Sequence, residues 1–358
     1  MAFKKDKTAV RRGAVWWMAA VLVLMAILAG CGGEKGDAGS SRQPAASESG
    51  SAGGENGNAG GESGSAGGQT GNGGDATRVV EHAMGSAEVS SNPQRVVVLT
   101  NEGTEALLAL GVKPVGAVKS WTGNPWYDHI KDQMEGVTEL GEESQPNIEL
   151  IAGLQPDLII ANKMRHEKIY EQLKGIAPTV MAEDLRGEWQ NNFKLYAEAL
   201  NKKAEGDKLI AEFDKRIEDF RTKAGDKVKE TVSVVRFMDG KTRVYHTDTF
   251  SGVIFGKIGL ARNEMTLNSK ETFVDEITKE RIPEVDADRL FYFTYDVGDG
   301  KANKTEEEWT SDPLWQNLSA VKNGRAYKVS DAIWNTAGGI LAANLMLDEL
   351  YEIYELPK

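Results

Sequence analysis

The sequence predicts an α/β protein in which a long rigid α-helix joins two Rossmann-like α/β lobes, with a ligand cleft between them. Short apolar runs alternate with helical patterns from Thr77 onwards, as in a largely parallel sheet covered by helices. A long amphipathic stretch divides that region, and the segments 147–160 and 278–291 on either side of it share one pattern. Each segment has an early glutamate, a short apolar helix, an aspartate and an apolar strand.

Residues 1–30 have the features of a targeting segment that does not belong to the fold. A basic start precedes the apolar run 14–28, and residues 28–31 (Leu-Ala-Gly-Cys) resemble the processing box of bacterial lipoproteins. A transmembrane anchor with an incidental cysteine is the alternative, but the run is short for a span of about 20 residues. We therefore expect cleavage before Cys31 and lipidation of its sulfur.

Residues 31–76 are expected to form a flexible tether. From residue 32 onwards this segment contains no Val, Ile, Leu, Phe, Tyr or Trp and is dominated by Gly, Ser and Ala. Such a composition cannot bury a core, and its r.m.s. reach is roughly 35–40 Å. We infer that a folded body moves above a membrane surface on this tether.

Residues 77–188 are expected to form the N-terminal lobe. Apolar runs of strand length alternate with helical patterns here, and Gly111 is a usual stop for the first helix. The predicted strands and helices are strands 95–99, 115–118, 158–161 and 179–181 and helices 101–110 and 167–173.

Residues 189–224 are expected to form the bridging helix. Apolar side chains from Leu209 to Phe220 recur at steps of three and four, the period of one helical face. Gly206 predicts a break or bend between two helices, because glycine weakens a helix interior by about 1 kcal/mol. An ordinary amphipathic helix within a single domain is the alternative, and the repeated pattern on both sides favours the bridge.

Residues 225–358 are expected to form the C-terminal lobe. Its first two apolar runs meet at Asp239-Gly240, which is a hairpin signal. The predicted elements are strands 231–238, 242–246 and 290–295 and helices 252–258 and 339–354.

Charge and motifs argue against several classes of function. The formal net charge of −12 argues against a nucleic-acid partner. The sequence has no nucleophile elbow, P-loop or dinucleotide fingerprint, so we expect no enzyme. The histidines are scattered without metal-ligand spacing and Cys31 is the only cysteine, so we expect neither a protein metal site, a disulfide nor a cofactor.

Arginine and aromatic residues near predicted strand ends are the candidate ligand contacts. In open α/β sheets ligands bind beyond the carboxyl ends of the strands, where arginine can bind carboxylate oxygens through a bidentate fork. Arg243 and Tyr245 alternate along one strand and therefore face the same side. Structural ion pairs and ordinary aromatic packing are the alternative. The candidates are Trp121, Arg165, Arg186, Trp189, Arg236, Arg243, Tyr245 and Trp334.

Short motifs also carry a resemblance to a known family, and they lie at 81–85, 93–99, 108–116, 154–159, 165–170, 176–180 and 334–339. From Val79 to the C-terminus the sequence resembles the iron-siderophore-binding lipoproteins of ABC importers, which have two lobes joined by a rigid helix. The branch it resembles most takes up hydroxamate- and citrate-type siderophores.

The resemblance implies a protein that captures a ferric siderophore and delivers it to an ABC permease. A siderophore satisfies iron with its own oxygens, so the protein needs cations and aromatic surfaces instead of metal ligands. The implied contacts are Arg165, Arg186, Arg243 and Arg236, with Trp189, Tyr245 and Trp334 lining the cleft. His246 is added to them, although it departs from the pattern of the branch.

The resemblance also implies partners and a location. In the family, one glutamate per lobe pairs with arginines of the two permease subunits, and Glu149 and Glu280 hold the matching places in the repeated pattern. Charge matching at a helix start is the alternative role for both. We expect a monomer that is lipid-anchored on the outer face of the cytoplasmic membrane, in a Gram-positive-type bacterium. Haem and cobalamin are the alternative ligands, and a lipid-anchored enzyme or adhesion protein is a less favoured function.

Overall fold

The computed structural model describes residues 76–357, so the predicted leader, Cys31 and nearly all of the tether lie outside that range. Within the described part, the chain forms one α/β lobe, then a pair of helices, then a second α/β lobe. This arrangement confirms the predicted fold class. No helix in this range is both long enough and apolar enough to cross a bilayer.

The elements of the N-terminal lobe run from Thr77 to Ala182. The strands are β1 (Thr77–His82), β2 (Gly85–Ser90), β3 (Val96–Val98), β4 (Gly116–Ala117), β5 (Thr138–Glu139), β6 (Gly141–Glu142), β7 (Gln145–Pro146), β8 (Leu158–Asn162) and β9 (Thr179–Ala182). The helices are α1 (Asn101–Ala109), α2 (Ile148–Gly153), α3 (Lys163–His166) and α4 (Tyr170–Lys174), with 3-10 turns at Lys131–Met134 and Glu167–Ile169.

A parallel sheet in the order β5-β4-β3-β8-β9 forms the centre of this lobe. Strands β3 and β8 are buried along their length and apolar apart from Asn162 at the end of β8, as expected for strands covered on both faces. Thr100 caps α1, because its Oγ1 accepts a hydrogen bond from the amide of Gly103 at 3.1 Å. The aspartate of the first repeat, Asp157, accepts hydrogen bonds from the amides of Gln94 and Arg95, which precede β3.

The predicted bridge is a pair of helices, α5 (Trp189–Ala199) and α6 (Lys203–Ala224). They pack antiparallel, since Trp189 at the start of α5 contacts Phe213 of α6 with ring centroids 5.3 Å apart. The join lies at residues 200–202, where Asn201 has a φ of 57°, and not at Gly206. Gly206 lies inside α6, and a Cβ there would come within 2.5 Å of the Cβ of Ala197. Gly206 therefore permits close helix packing instead of breaking the helix.

Helix α6 alone runs from the N-terminal lobe to the C-terminal lobe. Its apolar face is Ile210, Phe213, Ile217 and Phe220, all buried, as the periodicity predicts. Its 22 residues span about 33 Å. At its C-terminal end Arg221 donates a hydrogen bond to the carbonyl of Ile258 in the second lobe.

The elements of the C-terminal lobe run from Thr231 to Ile353. The strands are β10 (Thr231–Met238), β11 (Lys241–Tyr245), β12 (Ala261–Arg262), β13 (Val274–Ile277), β14 (Arg289–Thr294) and β15 (Ala326–Lys328). The helices are α7 (Phe250–Ile258), α8 (Glu264–Asn268), α9 (Lys301–Thr310), α10 (Pro313–Gln316), α11 (Ser319–Lys322) and α12 (Ile340–Ile353). Irregular helical turns lie at Gly225–Lys229, Lys279–Val285 and Ala332–Thr336.

The sheet of this lobe is mixed, in the order β13-β11-β10-β14-β15, with β12 beside β10. Strands β10 and β11 form the predicted hairpin, and Gly240 takes the left-handed conformation with a φ of 64°. The aspartate of the second repeat, Asp288, binds the amide and hydroxyl of Thr231 at the start of β10. It thereby occupies the position that Asp157 has in the first lobe.

One continuous cluster of buried apolar side chains connects the two lobes. It includes strands β3 and β8 of the first sheet, strand β10 of the second, and helices α5, α6 and α12. Helix α12 also returns to the first lobe, where the amide of Ala342 donates to the Glu105 carboxylate at 2.9 Å. Because this core is shared, we expect the lobes to move little relative to each other.

Candidate ligand-binding site

A cavity of about 450 Å³ lies between the two lobes, which is a usual size for a small-molecule site. Its walls come from the carboxyl ends of both sheets, where ligands bind in α/β proteins. Trp121 follows β4, Arg165 lies in α3 directly after β8, and Tyr295 directly follows β14. The lining is Glu102, Trp121, Glu143, Met164, Arg165, Leu185, Arg186, Arg236, Met238, Arg243, Tyr245, Thr249, Phe250, Phe273, Tyr295 and residues 335–338.

The structure brings together most of the residues that the sequence predicts for the site. Those that line the cavity are Trp121, Arg165, Arg186, Arg236, Arg243 and Tyr245. They come from both lobes, so a ligand bound here would contact each lobe with cationic and aromatic groups.

The prediction that Trp189 and Trp334 line the cleft is wrong, because both indoles are buried in the core. Trp189 is 2% exposed and packs edge-on against Phe250. Trp334 is fully buried against Phe291, with ring centroids 4.7 Å apart, and its Nε1 donates to Glu349. The next four residues in the chain, 335–338, line the cavity instead.

The prediction for His246 is also wrong. Its ring is 1% exposed and lies between two polar partners inside the C-terminal lobe. Nδ1 lies 3.2 Å from the hydroxyl of Thr266, and Nε2 lies 3.0 Å from the carboxylate of Asp275. With both ring nitrogens engaged and no cavity contact, His246 holds strand β11 against its neighbours.

Two arginines of the N-terminal lobe reach the cavity with loosely held side chains. Arg165 is 39% exposed, and its Nε donates to Oε1 of Glu143 at 3.3 Å. Its guanidinium also lies over the ring of Trp121, at 5.9 Å from the centroid. Arg186 is 41% exposed, and its partner Asp248 lies 3.6 Å away in the other lobe. Both guanidinium groups are exposed enough to turn to ligand oxygens, and for Arg186, whose partner is exposed as well, the ion pair contributes only roughly 0–1 kcal/mol.

The two arginines of the C-terminal sheet differ in their surroundings. Arg243 is 25% exposed and donates Nε and Nη2 to one oxygen of Glu276. Arg236 is 8% exposed and holds Asp331 through a bidentate pair, with Nε at 2.7 Å and Nη2 at 3.2 Å. Burial alone would lower the pKa of Arg236, but the attraction of Asp331 and of Tyr245 outweighs it and raises the pKa. Arg236 is therefore the structural member of the set.

Two acidic side chains in the cavity wall were not predicted. Glu143 is buried and accepts hydrogen bonds from the amide and the side chain of Asn101, both at 2.9 Å, in addition to its contact with Arg165. Glu102 lies in the first turn of α1. Burial raises the pKa of Glu102 well above its ordinary value, and the nearby charge of Glu143 adds to this effect.

The aromatic surface of the cavity was also only partly predicted. Phe273 lies under the guanidinium of Arg186 at 4.6 Å, and Tyr295 lies under Arg236 at 4.6 Å. Tyr295 could have been found, because it is the last residue of the predicted strand 290–295. Phe273 had no such signal, since it lies before β13, a short strand of mixed polarity.

The arrangement suits an anionic ligand that is rich in oxygen and has apolar parts. Four arginines and two glutamates line the cavity, and burial favours the neutral form of one glutamate, Glu102. Among residues 76–357 no group of three His, Cys, Asp or Glu side chains is placed to hold a metal ion. The cavity wall offers cations and aromatic faces to a ligand.

Comparison with known proteins agrees with this geometry. The family model described as periplasmic binding protein matches residues 96–332. The probable siderophore-binding lipoprotein YfiY of Bacillus subtilis is 55% identical over 281 residues, which cover 76% of this chain and 86% of that protein. The achromobactin-binding periplasmic protein of Dickeya dadantii is 31% identical over 265 residues, which cover 73% of this chain and 86% of that protein.

A solved structure with the same architecture is that of Staphylococcus aureus SirA complexed with staphyloferrin B. It aligns with a TM-score of 0.72 and 36% identity, covering 78% of this chain and 99% of that one. The match includes both lobes and the region between them. The chain therefore belongs to the periplasmic binding protein family.

Proposed function

We propose that this protein captures a ferric siderophore outside the cytoplasmic membrane and delivers it to an ABC permease for iron uptake. The observation that carries the proposal is the set of partly exposed cations, Arg165, Arg186 and Arg243, around one cavity with aromatic walls. Relatives named as siderophore-binding and achromobactin-binding proteins support it. The iron arrives fully coordinated by the siderophore, so the protein acts as a binding module and not as an enzyme.

The ligand class follows from the charges in the cavity. Guanidinium groups bind carboxylate and similar oxygens through charge-assisted hydrogen bonds, which are stronger than neutral ones. Arg165 and Arg186 come from one lobe and Arg243 from the other, so an anionic ligand is held from both sides. These features favour a siderophore with carboxylate or hydroxamate oxygens over haem or cobalamin.

A ligand screen tests the proposal. The protein is titrated with ferric citrate, ferric staphyloferrin B, a ferric hydroxamate, haem and cobalamin, with intrinsic fluorescence as the signal. Trp121 lies in the cavity wall, so Trp121→Phe should reduce the signal, whereas the matched change Trp315→Phe in the buried core should retain the ligand-dependent change. We expect saturable binding of at least one ferric siderophore. Binding of haem or cobalamin alone would contradict the proposal.

We further propose that Glu149 and Glu280 dock the loaded protein on its permease, and that one glutamate comes from each lobe. Both side chains are exposed, and each lies in the first turn of the short helix that forms part of its repeated segment. Asn147 caps α2, and its backbone amide donates a hydrogen bond to the carbonyl of Leu140. The backbone amide of Leu140 in turn donates to the carbonyl of Ala117 at the end of β4. Glu149 is therefore on the carboxyl edge of the first sheet.

Glu280 has the equivalent place in the second lobe. Ile277 ends β13 and pairs with Thr242, which in turn pairs with Phe237 near the end of β10. The turn Lys279–Val285 thus starts on the carboxyl edge of its own sheet. The cavity is built from the carboxyl ends of both sheets, and the position of both glutamates at these edges supports the proposal that they contact basic groups of a partner.

An uptake assay separates docking from binding. Changing Glu149 and Glu280 together to Ala should leave siderophore affinity intact and abolish iron-siderophore uptake by cells. The matched control changes Glu171 and Glu264, which are also exposed carboxylates in the first turn of a short helix, one in each lobe. Normal uptake by the first double variant would leave only charge matching at a helix start as the role of this pair.

The proposed location rests on Cys31 and on the name of the relative YfiY, a lipoprotein. We infer a lipid anchor on the outer face of the cytoplasmic membrane, with residues 31–76 as the tether. Cys31→Ala should leave the protein uncleaved or released into the medium, as measured by fractionation. Membrane attachment equal to that of the wild type would contradict lipidation at this residue.

A further inference from the structure

The inference concerns Glu102, an acidic side chain in a cavity suited to anions. Glu102 lines the cavity but is only 8% exposed. Its Oε1 accepts two hydrogen bonds, from Asn192 Nδ2 at 2.9 Å and from Tyr196 Oη at 2.8 Å. Its Oε2 has no hydrogen-bond partner among residues 76–357. The side chain thus has one oxygen that is fully engaged on the α5 side and a second that remains available.

The charges around Glu102 disfavour a carboxylate. Glu143, which follows β6, and Asp184, which follows β9, are the acidic groups that act on it. From α5 come Asn192 and Tyr196, which supply hydrogen bonds but no positive charge. No lysine or arginine in the described part of the chain forms an ion pair with Glu102, whereas Glu143 has the contact with Arg165. Burial without a cation favours the neutral acid.

The proton of the neutral acid can be assigned to one atom. Oε1 accepts from two donors and is therefore the carbonyl-type oxygen. The hydroxyl is then Oε2–H, the group without a partner in the cavity wall. A hydroxyl that donates to an ionised oxygen forms a short, charge-assisted hydrogen bond.

We propose that Glu102 is a specificity-determining residue whose carboxylic acid donates a hydrogen bond from Oε2 to an anionic oxygen of the bound siderophore. This inference rests on the proposed function. The neutral acid selects ligands that present an ionised acceptor at this point of the cavity. The ionised form would instead place a carboxylate against an anionic ligand.

A pH dependence of affinity follows from this role. As the pH rises through the folded-state pKa of Glu102, the donor is lost and repulsion replaces attraction. With one proton linked to binding, the affinity falls by up to tenfold per pH unit in that range. When binding occurs in that range, the complex takes up a proton from solution.

The experiment compares Glu102→Gln and Glu102→Leu with the wild type from mildly acidic to alkaline pH. The probes are ferric citrate and ferric staphyloferrin B, and affinity is measured by fluorescence titration. Glutamine has the same shape as the protonated acid: its carbonyl can accept from Asn192 and Tyr196, and its amide can donate to the ligand. Leucine removes the donor. Glu171→Gln, an exposed first-turn carboxylate outside the cavity, is the matched control.

We expect Glu102→Gln to keep the low-pH affinity of the wild type and to lose the fall at higher pH that the wild type and Glu171→Gln share. Glu102→Leu should bind more weakly, by about tenfold or more, even at low pH. Comparison between variants at each pH removes the titration of the siderophore itself. An identical pH profile of the wild type and Glu102→Gln overturns the inference.

Calorimetry gives a second, variant-free result in case a substitution prevents folding. Titration of the wild type in buffers of different ionisation enthalpy measures the protons taken up on binding. A proton uptake that grows with pH supports the inference, and no proton exchange at any pH overturns it. If the wild type binds none of the three ferric complexes of the screen, including the ferric hydroxamate, the proposed function fails as well, which is a different outcome from binding with an unchanged profile.

Discussion

Removal of the Arg165 guanidinium should weaken ligand binding while it leaves the stability of the fold nearly unchanged. The guanidinium is 39% exposed, so solvent screens its contact at 3.3 Å with the buried Glu143, and Glu143 keeps two hydrogen bonds from Asn101 when the arginine is removed; we therefore expect a loss of stability of roughly 1 kcal/mol. A charge-assisted hydrogen bond to a ligand oxygen contributes about 1.5–3 kcal/mol. Arg165→Ala should therefore weaken ferric-siderophore binding about tenfold to a hundredfold, because each 1.36 kcal/mol is a factor of ten.

Glu143, which loses its arginine partner in this variant, adds to the expected loss of affinity. Without Arg165, Glu143 keeps the two hydrogen bonds that Asn101 donates, so its side chain stays in place in the cavity wall. The cavity then has one cation fewer beside this acidic residue, which lowers the affinity for an anionic ligand without unfolding the lobe.

The assay is a fluorescence titration of Arg165→Ala beside thermal and denaturant unfolding. The matched control is Arg281→Ala, an arginine that is 42% exposed and paired with Glu284 at 2.8 Å, outside the cavity. The control should retain wild-type affinity and stability within about 1 kcal/mol. Wild-type affinity of Arg165→Ala, or a fall in stability as large as the fall in affinity, would refute the reasoning and make this arginine structural.

Four further predictions follow from the same structure. Arg236→Ala should lower the free energy of unfolding by about 3–5 kcal/mol in denaturant titrations, because it leaves the buried carboxylate of Asp331 unpaired; a loss below 1 kcal/mol would contradict this. Arg262 is buried with Nε and Nη1 unpaired, and burial lowers its pKa to about 10. Arg262→Met should thus raise stability by about 1–3 kcal/mol, although the carbonyl of Tyr245 loses a donor; destabilisation would show that this hydrogen bond dominates. Because the pKa of Glu102 is raised, the folded state binds this proton more tightly than the unfolded state does. The free energy of unfolding should therefore fall as the pH rises through the folded-state pKa, and Glu102→Gln should remove that fall from the pH profile of stability. Small-angle scattering curves with and without ferric siderophore should nearly superimpose, since one core joins the lobes; a large fall in the radius of gyration on binding would contradict this rigidity.

The fold was largely predictable because its signals are local. Apolar strands, helix stops such as Gly111 and Gly259, and the hairpin at Asp239-Gly240 each follow from a few neighbouring residues. The position of the join between α5 and α6 was not predictable, because the role of Gly206 depends on Ala197 in the partner helix. A glycine that permits close packing and a glycine that breaks a helix are alike in sequence.

Site residues were predictable where their position beside a strand end decides whether they reach the cleft. Arg165 and Arg186 follow strands β8 and β9, whose carboxyl ends meet at the cleft, whereas Arg243 lies on the antiparallel strand β11, which starts at that edge of its sheet. Trp189 and Trp334 have the same sequence context, yet the rotation of a helix or turn directs them into the core. Charge and aromaticity mark a candidate, but the direction of a side chain is set by tertiary packing.

Glu102 shows a different limit. A glutamate in the first turn of a helix has an ordinary explanation in sequence, the helix dipole. Its role here depends on burial against Asn192 and Tyr196, which lie about ninety residues later in the chain. No local pattern connects these residues before the fold is known.

The most direct test of the central claim is a crystal structure of the protein with the ferric siderophore that binds most tightly in the screen. The proposal predicts electron density and anomalous iron scattering in the cavity between the lobes, with ligand oxygens within hydrogen-bond distance of Arg165 and Arg243 and with Trp121 against the ligand. Iron in that cavity bound directly by protein side chains, or a siderophore seated on another surface, would contradict it.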